Sequence, residues 1–291
     1  MAVAAVTTRS LTALARLGRV SNLPTVWTNV LAATVLAGGE WRNLRTAIVL
    51  VAMSLFYVGG MYLNDYFDRA IDARERPTRP IPAGDVPAGM VAAIGVALLG
   101  GGIALMAPLG GAALLAGLAL ALAIVGYDVW HKGNPAGPVV MGLCRALVYA
   151  GAAAAAVGGA SSLVVLAAVA MLAYVAGITY AAQQESYDRI GNLCPLAALA
   201  APAIVALAIA TNGGPAIAAV ALLAAWTAAA VHLLIRRPVL GAVSRAVSWL
   251  IAGISLVDAA FLAGAGAVMA AALAILGGAA TLAAQRYVAG T

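Results

Sequence analysis

Apolar runs of about 20 residues recur along the whole chain, and each is long enough to cross a bilayer as a helix. Ten can be marked, near 20–38, 45–66, 86–107, 110–127, 137–158, 162–185, 194–211, 215–235, 243–263 and 266–286. Their breaks carry turn residues: Gly38-Gly39, Pro108-Leu109-Gly110-Gly111, Gly158-Gly159 and Asn212-Gly213-Gly214-Pro215. The ten-residue alternation of a membrane β-barrel is absent. The pattern predicts an all-α fold, a polytopic transmembrane helix bundle of nine or ten helices. Nine would require the last two runs to fuse across Gly264-Ala265-Gly266. A single membrane domain over 1–291 is expected.

Composition narrows the class. The chain is 64% hydrophobic and 9% charged, whereas about a quarter of the residues in an ordinary soluble domain are charged. Its net charge of +6 comes from residues scattered over loops, which fits positive-inside topology and not a nucleic-acid footprint. With the N-terminus inside, only Arg42 and Arg45 of the 16 Lys and Arg fall outside. The stretch Met1–Val20 carries Arg9, Arg16 and Arg19, lacks a cleavage signature, and is expected to form a short amphipathic helix on the cytosolic surface. Cys144 and Cys194 belong to no spaced motif and are expected to be small buried hydrophobes. The 32 glycines read as close-packing positions between membrane helices.

Chemistry concentrates in one stretch, Asn64-Asp65-Tyr66-Phe67-Asp68-Arg69-Ala70-Ile71-Asp72. At about 100° per residue, Asn64, Asp68 and Asp72 share a helix face, and Asp65 points about a quarter-turn away. Carboxylates and an amide stacked on one face are unfavourable unless a cation sits among them. Mg²⁺ suits the position, because it takes a few carboxylates plus substrate phosphate oxygens. The stretch is expected to open a loop carrying Arg74, Glu75, Arg76 and Arg79, whose forks suit a diphosphate. An echo lies 120 residues on, where Gln184-Glu185-Ser186-Tyr187-Asp188-Arg189 repeats amide, acid, any residue, aromatic, Asp, Arg. Parallel repeats of this kind can hold a site between them. Two charges lie inside apolar runs, Arg145 and Asp258. They can pair with each other, or Arg145 can face a diphosphate cavity. His131 and His232 have no evident partner.

Asn64-Asp65-x-x-Asp68-x-x-x-Asp72, followed by Arg76 and Arg79-Pro80-Ile81-Pro82, resembles the signature of the UbiA superfamily of intramembrane prenyltransferases. A Tyr127…Lys132 loop follows the fourth helix, and the second motif keeps Asp188, Arg189 and Gly191 but shows Gln184 where that family has Asp. Asn22-Leu23-Pro24-Thr25 and Met141-Gly142-Leu143-Cys144-Arg145 resemble the EboC-like branch. The resemblance implies a bundle around a central cavity open to the cytosolic side, in the cell membrane. It also implies Mg²⁺-dependent prenyl transfer from an allylic prenyl diphosphate to an unidentified acceptor, with release of pyrophosphate. Asp68, Asp72, Asp188 and Lys132 would then be catalytic. Asn64, Asp68 and Asp72 would hold one Mg²⁺, and Gln184, Glu185 and Asp188 a second. Arg76, Arg79, Lys132, Arg145 and Arg189 would bind the diphosphate. The prenyl tail would lie among apolar helices, and Tyr57, Tyr62, Tyr127, Tyr174 and Tyr180 would offer rings to a carbocation. Cyclisation of the same substrate, or a non-catalytic lipid or prenyl-diphosphate carrier on this fold, are the alternatives. The partners expected are prenyl diphosphate, acceptor and membrane lipid, with no nucleic acid.

Overall fold

A computed structural model describes residues 8–184, 191–210, 213–236 and 240–290, and among these the regular structure is all helix. After a short helix α1 (Thr8–Leu17) come the ten apolar helices that the runs anticipate. These are α2 (Leu23–Leu36), α3 (Leu44–Glu75), α4 (Ala88–Met106), α5 (Gly111–Trp130), α6 (Gly137–Val157) and α7 (Ser162–Gln183). They continue with α8 (Ala201–Ile209, led in by a 3-10 segment Cys194–Ala200), α9 (Gly214–Arg236), α10 (Ala242–Gly264) and α11 (Val268–Ala284). The last two runs do not fuse: Gly266 adopts φ +78° between α10 and α11, a conformation glycine takes without steric cost.

Seven helices are long and apolar enough to cross a membrane: α3 to α7, α9 and α10. Helix α2, at 14 residues, is shorter, but it lies inside the bundle against α3, α6, α10 and α11. Helix α10 is buried along nearly its whole length and packs on α2, α7, α9 and α11. Sequential helices pair as hairpins, α3 with α4, α6 with α7, and α10 with α11. Small residues permit the close approach. A Cβ on Gly142 of α6 would strike the carbonyl oxygen of Leu172 in α7, and backbone cannot move aside cheaply.

The connections gather at two ends. At one, Arg45 donates to Ala155 O at 3.0 Å and Leu109 O at 2.6 Å, closing the carbonyl ends of helices that finish there. Arg42 reaches Met269 Sδ across the same end. The two arginines set apart by the charge pattern are therefore helix-end clamps. At the other end the C-terminal segment returns to the start of α2, where Asn22 Nδ2 donates to Gly290 O at 2.9 Å. Helix α1 docks there as an amphipathic element, with Ala13 and Leu17 packed against Tyr62, Val86 and Val91.

Helix α3 departs from the expected course. The acidic stretch does not open a loop. The helix continues unbroken to Glu75, because Asp68 to Glu75 contains no breaker, and it stops where Pro77 bars Arg76 from helical geometry. Its 32 residues reach about 48 Å, well beyond a hydrocarbon core of about 30 Å. Cys194 also departs from expectation. It is exposed at the start of the segment leading into α8, while Cys144 is buried as anticipated.

The two intramembrane charges are joined through a third residue. Arg145 donates to Asn29 Oδ1 at 2.8 Å and Thr25 Oγ1 at 3.1 Å. Asn29 Nδ2 in turn donates to Asp258 Oδ2 at 2.8 Å. Thr28 donates to the same oxygen at 2.6 Å, and Tyr149 donates to Oδ1. Both carboxylate oxygens are satisfied, and the network pins α2, α6 and α10 together. Asp258→Ala would leave those donors facing a void. It is expected to cost about 2–4 kcal/mol, read as a lowered unfolding midpoint in detergent, with Asp258→Asn costing less because it keeps an acceptor.

Candidate functional site

The last three turns of α3 carry the acidic motif to the bundle end where α1 docks. Asn64, Asp65, Asp68 and Asp72 are all buried there. Asp65 is part of the site although the i, i+4, i+8 pattern set it aside. It lies seven residues before Asp72, and seven residues bring a helix back to nearly the same face. Arg79 spans the pair, with Nη1 at 3.2 Å from Asp65 Oδ1 and 2.9 Å from Asp72 Oδ2. Asp68 is held from the loop after α5, by Lys132 Nζ at 3.1 Å and His131 Nε2 at 3.5 Å from Oδ2. The His131 ring stacks on Tyr127 at 4.5 Å, and its Nδ1 lies 3.0 Å from Tyr127 O. The ring nitrogens face two oxygens, Tyr127 O and Asp68 Oδ2, so the ring is held between α5 and the acidic motif.

A further cation comes from the N-terminal side. Arg19 lies 3.2 Å from Asp65 Oδ1 through Nη2, and Nη1 reaches Met61 Sδ. Its backbone is left-handed, φ 41°, which costs an L-residue about 1–2 kcal/mol. The adjacent Gly18 does not take that position. A Cβ on Gly18 would lie 3.2 Å from Val58 Cγ1, so its smallness serves the approach to α3. Burial would lower the Arg19 pKa, but the Asp65 carboxylate and the neighbouring Tyr57, Tyr127 and Asp68 hold it above its ordinary value.

Other expected residues distribute unevenly. Arg76 caps α3 through its backbone N–H on Asp72 O, and among the described residues its side chain forms no ion pair. Arg145 engages α2 and comes no nearer than the ring of Tyr57, 5.7 Å from its Cζ. Gln184 ends α7. Glu185, Asp188 and Arg189 lie outside the described residues. Tyr180 and Asn192 exchange hydrogen bonds at 2.9 and 3.2 Å, which tie the end of α7 to the segment leading into α8. Tyr62 and Tyr174 are packing residues whose hydroxyls bond to Leu14 O and Leu250 O.

Sequence reasoning missed Arg19, Asp128 and the role of His131. Asp128, in the last turn of α5, is buried and accepts from Asn64 Nδ2 at 3.3 Å through Oδ1. Nothing in spacing separates Arg19 from Arg9 and Arg16, whereas the His131-Lys132 dipeptide at a helix end was a visible cue.

Among the described residues no three His, Cys, Asp or Glu side chains converge closely enough to cage an ion. Mg²⁺ does not need such a cage, since one or two carboxylates with substrate phosphate oxygens and waters complete its octahedron. The hard oxygen donors of Asn64, Asp68 and Asp72, beside the unpartnered Oδ2 of Asp128, fit an ion of that kind.

The profile of the UbiA prenyltransferase family matches residues 25–245. The chain belongs to that family. Its apolar helices and UbiA membership make it an integral membrane protein. The digeranylgeranylglyceryl phosphate synthase of Methanothrix thermoacetophila is 33% identical over 106 residues, 36% of this chain and 40% of that protein. The enzyme of the same name from Natronomonas pharaonis is 33% identical over 141 residues, 48% and 51% of the two chains. The chain thus spans about half the length of the curated relatives it matches. The apo structure of a UbiA homolog from Aeropyrum pernix K1 aligns with TM-score 0.64 at 22% identity, covering 84% of this chain and 97% of that one. A UbiA homolog from Archaeoglobus fulgidus bound to GPP and Mg²⁺ aligns with TM-score 0.61 at 15% identity, covering 88% and 99%. At these identities the likeness is one of fold.

Within this UbiA bundle, Arg79 keeps Asp65 and Asp72 from repelling each other. Arg79→Ala is expected to lower stability by about 1–3 kcal/mol at low salt. Millimolar Mg²⁺ should restore most of the loss by taking over charge neutralisation. Thermal unfolding in detergent with and without Mg²⁺ checks this, and absence of Mg²⁺ rescue would count against a cation site at the motif.

Proposed function

We propose that this protein transfers a prenyl group from an allylic prenyl diphosphate to an acceptor, with release of pyrophosphate, at the cytosolic end of the bundle. The observation that carries this reading is the bridge of Arg79 across Asp65 and Asp72, next to Lys132 on Asp68. Acids and cations are interleaved at one buried spot, and each cation can exchange its carboxylate for a phosphate oxygen.

Asn64, Asp68 and Asp72, with Gln184, Glu185 and Asp188 from the second motif, are the proposed ligands of Mg²⁺. The metal, when bound, supplies charge neutralisation for the leaving diphosphate. Arg79, Arg76, Lys132 and Arg19 would grip phosphate oxygens with charge-assisted hydrogen bonds. His131 would help Lys132 hold the Asp68 carboxylate in place, since both reach its Oδ2. Ionisation breaks the bond between the allylic carbon and its oxygen, the electron pair leaves with pyrophosphate, and the acceptor's nucleophile then bonds to that carbon. The acceptor loses its proton to solvent or to a nearby carboxylate. The apolar walls of α2, α3, α5 and α6 would exclude water from the cation. The name of the matched relatives makes a glyceryl phosphate lipid the first acceptor to try.

Purified protein in detergent should release pyrophosphate from geranyl, farnesyl or geranylgeranyl diphosphate when Mg²⁺ and a prenyl-accepting glyceryl phosphate lipid are present. Asp68→Ala should reduce the rate by at least about 100-fold, as expected for lost electrostatic stabilisation of the leaving group. Tight binding of the diphosphates without turnover across acceptors would instead favour a carrier, and release without any acceptor would favour a cyclase.

A further inference from the structure

Asp128 differs from every other acid in the site. Asp65 has Arg19 and Arg79, Asp68 has His131 and Lys132, and Asp72 has Arg79. Asp128 forms no salt bridge among the described residues. Its side chain is 4% exposed, its Oδ1 accepts from Asn64 Nδ2 at 3.3 Å, and its Oδ2 is buried with no hydrogen-bond partner. Buried polar atoms in native proteins find partners, and an orphan marks a place where an ion or another group belongs. Asp258 gives the internal comparison: deeper in the membrane, it has both oxygens satisfied by side chains.

The position of Asp128 favours a cation. It stands next to the first motif through Asn64, and three residues later the chain reaches His131. A Cβ on Gly137 would lie 3.4 Å both from His131 O and from Gln183 Nε2, so this turn also abuts the end of α7, where the second motif begins. Ligation there uses a hard carboxylate oxygen beside Asn64, whose amide N–H is already committed to Asp128 and whose carbonyl oxygen is left to accept elsewhere.

We propose that Asp128 Oδ2, beside Asn64 of the first motif, is a ligand for a divalent cation in this site, one that neither motif assigns. The inference rests on the diphosphate reading above. Mn²⁺ is the probe, titrated into the full chain in detergent and followed by its electron paramagnetic resonance signal, with and without a non-ionising farnesyl thiodiphosphate. Asp128→Asn keeps an acceptor for Asn64, so a role confined to positioning Asn64 survives it. Ligation predicts Mn²⁺ affinity in the presence of the analogue falling at least about tenfold, with the unfolding midpoint unchanged or raised. Asp128→Glu, which keeps the charge but moves the oxygen, should also weaken Mn²⁺ and provides the measurement should the Asn variant not fold. Wild-type Mn²⁺ affinity in either variant overturns the assignment while leaving the prenyl-diphosphate reading standing. A wild-type chain that binds no Mn²⁺ even with the analogue overturns both.

Discussion

The site depends on charge pairing at the end of α3, above all on Arg79. Its guanidinium spans two carboxylates a heptad apart, in a place where neither could be ionised cheaply alone. Arg19 shares Asp65 Oδ1 with Arg79, and Lys132 does the same work at Asp68 Oδ2, which Arg79 does not reach. Each cation comes from a different element: the turn before α2, the loop after α3, and the loop after α5. The acids of one helix therefore fix three connections, and whatever disturbs the acids disturbs the geometry of the whole bundle end.

That pairing also constrains what can bind. With carboxylates and guanidinium or ammonium groups nearly balanced, a diphosphate arriving alone would leave a large buried excess of negative charge. Bringing divalent cations restores the balance and permits an exchange of partners. On the proposed reading, Asp68 and Asp72 would turn to metal, and Lys132 and Arg79, so released from them, would turn to phosphate. An exchange of this kind needs acids and bases that already sit together, and the bundle end provides them. The intramembrane network behaves oppositely. Asp258, Asn29, Thr28, Tyr149 and Arg145 are mutually satisfied, so they lock α2, α6 and α10 and leave nothing to exchange.

The apolar runs made the helices legible because each must match the thickness of a membrane, and the two outlying arginines were legible because they break a charge bias. The end of α3 was not. Asp68 to Glu75 lowers hydropathy without lowering helix propensity, so a reading based on apolarity stops the element too early, at the motif it carries. The site was legible as far as local spacing reaches. Asn64, Asp68 and Asp72 followed from helical periodicity, and Asp65 was lost because the same count was not extended to Arg79 and the heptad. Arg19 and Asp128 are long-range partners. One depends on a left-handed turn held by contacts from α3, and the other depends on α5 lying beside α3. Arg145 and Asp258 show the same limit, since Asn29, an amide within an apolar run, decides that they connect indirectly.

Arg19 connects these themes. An L-residue in a left-handed turn persists only when something outside the turn holds it, and here both its ends are held. Its carbonyl accepts from Tyr57 Oη at 3.4 Å, and its guanidinium lies on Asp65. Tyr57 also lies under Arg145, so the ring separates the exchangeable charges of the bundle end from the locked network beneath. On the proposed reading Asp65 stays paired with Arg19 and Arg79 while Asn64, Asp68 and Asp72 take the metal, so Arg19 keeps the contact that offsets its strain and the N-terminal turn stays fixed to α3.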